Sequence, residues 1–294
     1  MIALILCIAC TSLLVFMFKV FEHFKIDVFP AIVFNYLTCV ICGFIDSGTS
    51  AVALTQQSAH SNWFWLAIVM GFSFINIFSL TSETALLLGV STASVAMKLG
   101  LVIPVFLAFA FYGEPLTGLK IIGILLAVVA VVLSSIKEQE HAHQKRTTWT
   151  TILPIIVFVG SGLCDSGAQL GEKKYFPHGG SQPFVLFIFL FAFVTGTIYL
   201  IYSLAKGKVQ LRWNQVVGGI ALGIPNYGSL LFLLRALNEV KGGSSVVFPI
   251  SNIAAVAGST LLSILFFKER LSRLNWLGML AALGCIAVMA VASN

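Results

Sequence analysis

Residues 85–127 read ALLLGVSTASVAMKLGLVIPVFLAFAFYGEPLTGLKIIGILLA, and residues 236–282 read ALNEVKGGSSVVFPISNIAAVAGSTLLSILFFKERLSRLNWLGMLAA. The two stretches are copies of one pattern. Glu114, Leu116, Leu119, Gly123 and Ala127 match Glu269, Leu271, Leu274, Gly278 and Ala282 at a constant offset of 155. Upstream, residues 85–96 match 236–247 at an offset of 151. The mismatch between the two offsets is about one helical turn. In each copy a long apolar run ends at a short polar corner, and a second apolar run follows. That is the pattern of two consecutive membrane-spanning helices.

The rest of the chain extends this pattern. It has 294 residues, of which 59% are hydrophobic and 10% charged. A soluble domain is roughly 45–50% apolar and about 25% charged. This composition excludes a soluble globular enzyme, a disordered regulator and a nucleic-acid binder. The net charge of +6 is no footprint of nucleic acid, because the 17 Lys and Arg are spread over many short connectors. The expected class is an all-α integral membrane protein, with the lipid bilayer as its surroundings and a cell (inner or plasma) membrane as its location.

A span needs about 20 apolar residues, which leaves room for about ten. Residues 2–18 carry no charge, and a charge-free stretch lies between Asp27 and Asp46. Further spans are expected over 63–88, from Ser91 to Tyr112, and between Lys120 and Lys137. The polar segment KEQEHAHQKR, 137–146, follows. Later spans are expected over 151–171, 183–205, 214–238, 243–267 and 274–292. Trp63, Trp65, Trp149, Trp213 and Trp276 all fall at span starts, where amphipathic rings favour the headgroup level. The chain thus divides into a first five-span repeat (1–136), a polar connector (137–150) and a second five-span repeat (151–294). An odd number of spans per repeat makes the second copy enter the membrane from the opposite side, which is the inverted-repeat design of secondary transporters.

Ten spans, a five-plus-five repeat and a helix-ending GE(P/R)L…G signature resemble the drug/metabolite transporter superfamily, in its ten-helix EamA-type branch. The resemblance covers essentially the whole chain. It implies Glu114 and Glu269 at the ends of spans 4 and 9, Gly123 and Gly278 in spans 5 and 10, and Lys19 near the end of span 1. Two positions depart from it: Asn35 stands where the family often has a basic residue, and Lys98 where it often has a proline. The resemblance implies transport across a membrane and does not choose the solute.

Ionisable residues inside spans are costly and mark functional sites. Lys98 lies about seven residues into span 4, roughly 10 Å deep at 1.5 Å per residue. It reads as a contact for an anionic group, or as a stem that snorkels to the headgroups. Glu83 is expected beside it, at similar depth on the preceding span, as an ion-pair partner or a proton exchanger, or else as a carboxylate near the interface that stays wet. Asp165 and Arg235 are expected as two further candidates near the opposite membrane surface, in a functional site or at the interface. Uncharged candidates are Asn226 and Tyr227 beside Pro225, and Ser251 and Asn252 beside Pro249. Both prolines are expected to interrupt their spans beside a solute site, because proline removes a helix donor, or else to kink them where neighbouring helices hold the kink. Asn35 and Asn76 read as interhelical hydrogen-bond residues. Gly167/Gly171 and Gly219/Gly223 read as close-packing pairs.

Cys7/Cys10 and Cys39/Cys42 have CxxC spacing, but on a lipid-embedded helix this only places two thiols on one face. No metal or other cofactor is expected. No GxxxxGK[ST] phosphate loop is present, so energy would come from a gradient. Lys and Arg number ten in the odd connectors and four in the even ones. The positive-inside rule then puts both termini outside.

The expected function is gradient-driven export or exchange of small organic solutes, amino-acid-like or drug-like, by alternating access. A coupling proton or counter-solute is the expected partner, and no enzyme activity is expected. Two alternatives are a non-transporting membrane scaffold and an intramembrane lipid-modifying protein. The latter would need convergent histidines, serines or paired carboxylates.

Overall fold

A long apolar run in a bilayer can satisfy its backbone N–H and C=O groups only by pairing them internally, and so it forms a helix. The computed structural model describes residues 1–48, 58, 60–88, 90–114, 117–135, 148–267 and 273–292, and helices dominate them. The elements are α1 (Ile2–His23), α2 (Val28–Ser47), α3 (Phe64–Leu88), α4 (Val90–Leu99), α5 (Val102–Tyr112) and α6 (Gly118–Ser135). They continue with α7 (Thr148–Tyr175), α8 (Gln182–Ala205), α9 (Trp213–Glu239), α10 (Ser244–Phe267) and α11 (Arg273–Ala292). Among the described residues, eight helical stretches are long and apolar enough to cross a membrane, counting Val95–Tyr112 as one. Two shorter apolar stretches lie in α6 and α11, Gly118–Ala130 and Trp276–Met289. Large apolar side chains such as Phe111, Leu265 and Phe266 stand on the outside, where lipid would meet them. This is an all-α membrane protein.

Three expectations about the helices need correction. First, α1 and α7 are longer than their apolar runs. Lys19, Glu22 and His23 lie inside α1, and α7 carries Glu172, Lys173 and Lys174 in its last turns. Second, Pro225 and Pro249 do not interrupt their spans: α9 and α10 run through them. Side chains also bond to backbone carbonyls next to each proline. The Cys39 thiol donates to the Gly223 carbonyl at 3.3 Å, and Asn252 Nδ2 donates to the Phe248 carbonyl at 3.1 Å.

Third, the break occurs where none was expected, between α4 and α5. Pro104 has no N–H to give Gly100, four residues earlier. The turn tightens instead: Leu101 N–H donates to Lys98 O at 3.3 Å, and Ile103 N–H to Gly100 O at 3.0 Å. This frees the Met97 carbonyl, which accepts the Ser161 hydroxyl of α7 at 3.0 Å. Gly100 and Gly162 let the two backbones meet there. A Cβ on Gly100 would collide with Ser161 Oγ, and one on Gly162 would lie 2.7 Å from Gly100 O.

Helices pack as α2 on α9, α3 on α8, α1 on α9, α3 on α7, α1 on α10, α4 on α7, α2 on α8 and α6 on α11. With no hydrophobic drive between helices in lipid, close backbone approach and polar bonds do this work. Gly219 and Gly223 seat α9 on α2, where a Cβ would meet Ala31 O and Thr38 Cβ respectively. Gly123 of α6 sits under Met289 of α11, and its carbonyl accepts the Cys285 thiol at 3.2 Å. The first half of α8, Phe184–Phe189, is enclosed by α2 and α3.

The bundle has two unlike ends. At one, the Met1 ammonium meets Glu239 at 3.3 Å and Trp63 packs on Phe176 and Phe184. At the other, Trp149 donates to Glu83 at 2.9 Å, Gln215 donates to Asp27 at 3.0 Å, and Phe16 packs on Phe266.

Candidate functional site

Lys98 sits one residue before the end of α4, next to the helix break, and only 8% of it is exposed. Its ammonium donates to Asn252 Oδ1 of α10 at 3.1 Å. An ammonium in hydrocarbon costs about 2.5–3.5 kcal/mol on insertion scales. A hydrogen bond to a charged group returns roughly 1.5–3 kcal/mol. Asn252 therefore offsets much of the cost while leaving two of the three ammonium protons for other acceptors. Asp165 of α7 and Lys98 act on one another electrostatically, and Cys7 of α1 feels both charges. No direct ion pair joins them among the described residues. The Cys7 thiol donates to the Ser229 carbonyl of α9 at 3.5 Å. One turn earlier on α9, Asn226 Nδ2 donates to Asn35 Oδ1 of α2 at 3.1 Å. Asn35 is 1% exposed, and its own Nδ2 has no partner. Lys98, Asp165, Asn252, Asn226 and Asn35 thus form a polar interior built by α4, α7, α10, α9 and α2, with Cys7 of α1 between its halves.

Other candidates lie elsewhere. Glu83 does not pair with Lys98: its carboxylate takes the Trp149 indole N–H at the far end of α3. Asp165 and Arg235 lie in different surroundings. Asp165 belongs with Lys98, because α7 runs ten residues beyond it, while the Arg235 guanidinium lies 5.6 Å from the Phe232 ring centroid. Tyr227 points away from Asn226 and donates to Asp46 at 3.0 Å. Ser251 is 5% exposed and bonds back to the Phe248 carbonyl at 3.2 Å. Lys19 lies in the last two turns of α1. Gly278 is buried in α11. Glu269 and the 137–147 part of the polar connector fall outside the described residues.

Glu114 is the most heavily bonded of these residues. It follows α5 and accepts Lys173 of α7 through Oε1. The same carboxylate accepts the Ser244 N–H at 3.1 Å and the Ser245 N–H at 3.0 Å, the free donors that begin α10. Burial pushes this carboxyl up. The Lys173 bond and the Ser245 and Ser244 amides outweigh it and hold Glu114 below its ordinary value. Glu114 therefore ties α5, α7 and α10 together at the end that carries Met1.

The sequence reading passed over Ser161, Gln169, Glu172 and Asn238. With Asp165, the first three recur every three or four residues along one face of α7. Ser161, Gln169 and Glu172 are 8%, 1% and 0% exposed. Asn238 Nδ2 donates to Glu172 Oε1 at 2.7 Å. The polar spacing itself is the signal in the sequence, and only Glu172 lies past the expected span 151–171. A surface cleft of about 530 Å³ between Asn62, Trp65, Lys174 and Tyr175 lies at the Met1 end, away from Lys98.

No protein-family model matches the chain. A protein of Haemophilus influenzae (strain Rd), described as uncharacterized, is 29% identical over 286 residues, covering 96% of this chain and 95% of that protein. A solved crystal structure aligns with 99% of this chain and 96% of its own at a TM-score of 0.75 and 14% identity, and so shares the fold.

Proposed function

We propose that this protein is a secondary transporter that carries small organic solutes by alternating access, with ten spans arranged as two inverted five-helix repeats. One observation carries the reading: Lys98, buried beside a helix break, is held by Asn252 of the other half, with Asp165 facing it. A cation and an anion in the low-dielectric interior suit an amphoteric solute, such as an amino acid. The packing supports the repeat. Exchanging each helix of the first half for its counterpart turns α2 on α9 into α8 on α3, α1 on α9 into α7 on α3, and α1 on α10 into α7 on the α4–α5 span. At the Met1 end, Glu114 bonds with Lys173 and Ser244, Glu239 with Met1, and Tyr227 with Asp46. Opening that end requires those bonds to part.

The test is a thermal-shift screen of small metabolites on the purified protein, followed by counterflow of the stabilising solutes in proteoliposomes. Wild-type protein is expected to exchange at least one amphoteric solute, and Lys98→Ala to lose that exchange. Full exchange by Lys98→Ala removes Lys98 from the mechanism. Leucine at Lys98, Asp165 and Asn252 without effect on any solute favours a scaffold.

A further inference from the structure

Glu172 and Gln169 are the most deeply enclosed polar side chains on α7, and each has unmet hydrogen-bonding capacity. Glu172 is 0% exposed; its Oε1 accepts Asn238, and its Oε2 has no partner. Gln169 is 1% exposed, and neither its Oε1 nor its Nε2 has a partner. Unmet polar atoms in such a place are expensive. Positions three or four apart on a helix are neighbours, so Gln169 stands next to Glu172 on one side and to Asp165 on the other.

These vacancies are complementary. An ionised carboxylate is acceptor-only, whereas a protonated one also carries an O–H donor. A proton on Glu172 Oε2 would supply the donor that Gln169 Oε1 lacks. The Gln169 amide would then turn its Nε2 protons toward the Asp165 carboxylate, which acts on Lys98. The ionised form has its own support. Arg235 of α9 faces Glu172 electrostatically, and the Ser181 hydroxyl at the start of α8 lies against its carboxyl group. The other charges nearby are engaged: Lys173 with Glu114, and Asp46 with Tyr227. α3 carries its one carboxylate, Glu83, at the far end of the bundle.

We propose that Glu172 is a proton-binding site, and that Gln169 reports its occupancy to Asp165 and Lys98. Binding moves one proton from water onto Oε2 and takes the side chain from −1 to neutral; release returns it to water, and no other bond forms or breaks. Its role as the coupling step rests on the transport reading above, whereas the proton site itself does not.

The test is an infrared pH titration of the full-length protein in lipid nanodiscs, with the proton as the only ligand. Wild-type protein should show a carboxylic acid C=O band that disappears as pH rises. Glu172→Gln should abolish it, and Glu172→Asp should keep a shifted band if the Gln variant fails to fold. Gln169→Leu should move the band by removing its acceptor, and Asp165→Asn should retain it. A band unchanged in both Glu172 variants, or a Glu172 ionised throughout, overturns the proposal even if solute exchange is intact. A titrating Glu172 in a protein that exchanges no solute upholds the site and defeats the transport reading alone.

Discussion

Lys98 Nζ of α4 and Asn252 Oδ1 of α10 are 3.1 Å apart, although 154 positions separate them in the chain. One is beside the break in its span, and the other is one turn from Pro249. The bond joins the two halves of the protein through positions that the sequence repeat nearly superimposes. It also gives a buried ammonium a neutral partner, so that its charge stays available to an anionic group.

The bond should therefore be measurable as a coupling. Asn252→Leu leaves the ammonium without its acceptor and should cost about 1.5–3 kcal/mol, the range for hydrogen bonds to charged groups. Lys98→Met removes the charge itself and should be cheaper. The double variant should be less destabilised than the two single changes together. Unfolding of the purified variants in detergent measures this, and strict additivity would show that the contact contributes nothing.

Glu114 gives a pH dependence of definite sign. Its carboxyl is held below the ordinary value of 4.5. A group lowered in the folded state adds stability above its unfolded value, and that contribution vanishes as pH falls through its folded value. The melting temperature of Glu114→Gln should lie below that of the wild type by a constant amount at neutral pH. The gap should begin to close as pH drops below about 4.5, the unfolded value. A gap that widens in acid would contradict the clamp.

The sequence showed Glu114 through its repeat with Glu269, because a helix-ending carboxylate is a local feature. It showed the apolar spans for the same reason. It does not show which helices a side chain meets: Glu83 reads as a partner of Lys98 or as a wet interfacial carboxylate, and in the structure it meets Trp149. Proline was the other weak signal. Pro225 and Pro249 lie within continuous helices, while the span of Pro104 breaks just before it, where Gly100 and Ser161 let α7 close in. Glu172 was hidden by the lysines after it, which made the end of α7 look like a connector.

The tight glycines should separate cleanly from the loose ones. A Cβ at Gly223 would lie 2.7 Å from the Asn35 carbonyl oxygen, which is backbone and cannot step aside. Gly223→Ala should cost about 1–3 kcal/mol by overpacking the α2–α9 contact. Gly284 of α11 has nothing within 4 Å of its Cβ position. Gly284→Ala should be neutral or stabilise by up to about 1 kcal/mol, the helix-propensity difference. Melting of the two variants side by side measures this, and equal effects would contradict the packing of α9 on α2.

The distribution of basic residues predicts how the bundle sits in the membrane. Lys25, Lys206, Lys208, Arg212 and Arg273 lie at the end where Trp149 meets Glu83, while Lys120, Lys173, Lys174 and Lys241 lie at the Met1 end. The sequence adds Lys137, Lys145, Arg146, Lys268 and Arg270 to the first group, so the imbalance is ten against four. By the positive-inside rule the Trp149 end faces the cytoplasm and the Met1 end faces out. A reporter enzyme that works only in the cytoplasm should be silent when fused after Asn294 and active when inserted at 140–144. Strong activity of the Asn294 fusion would reverse the orientation.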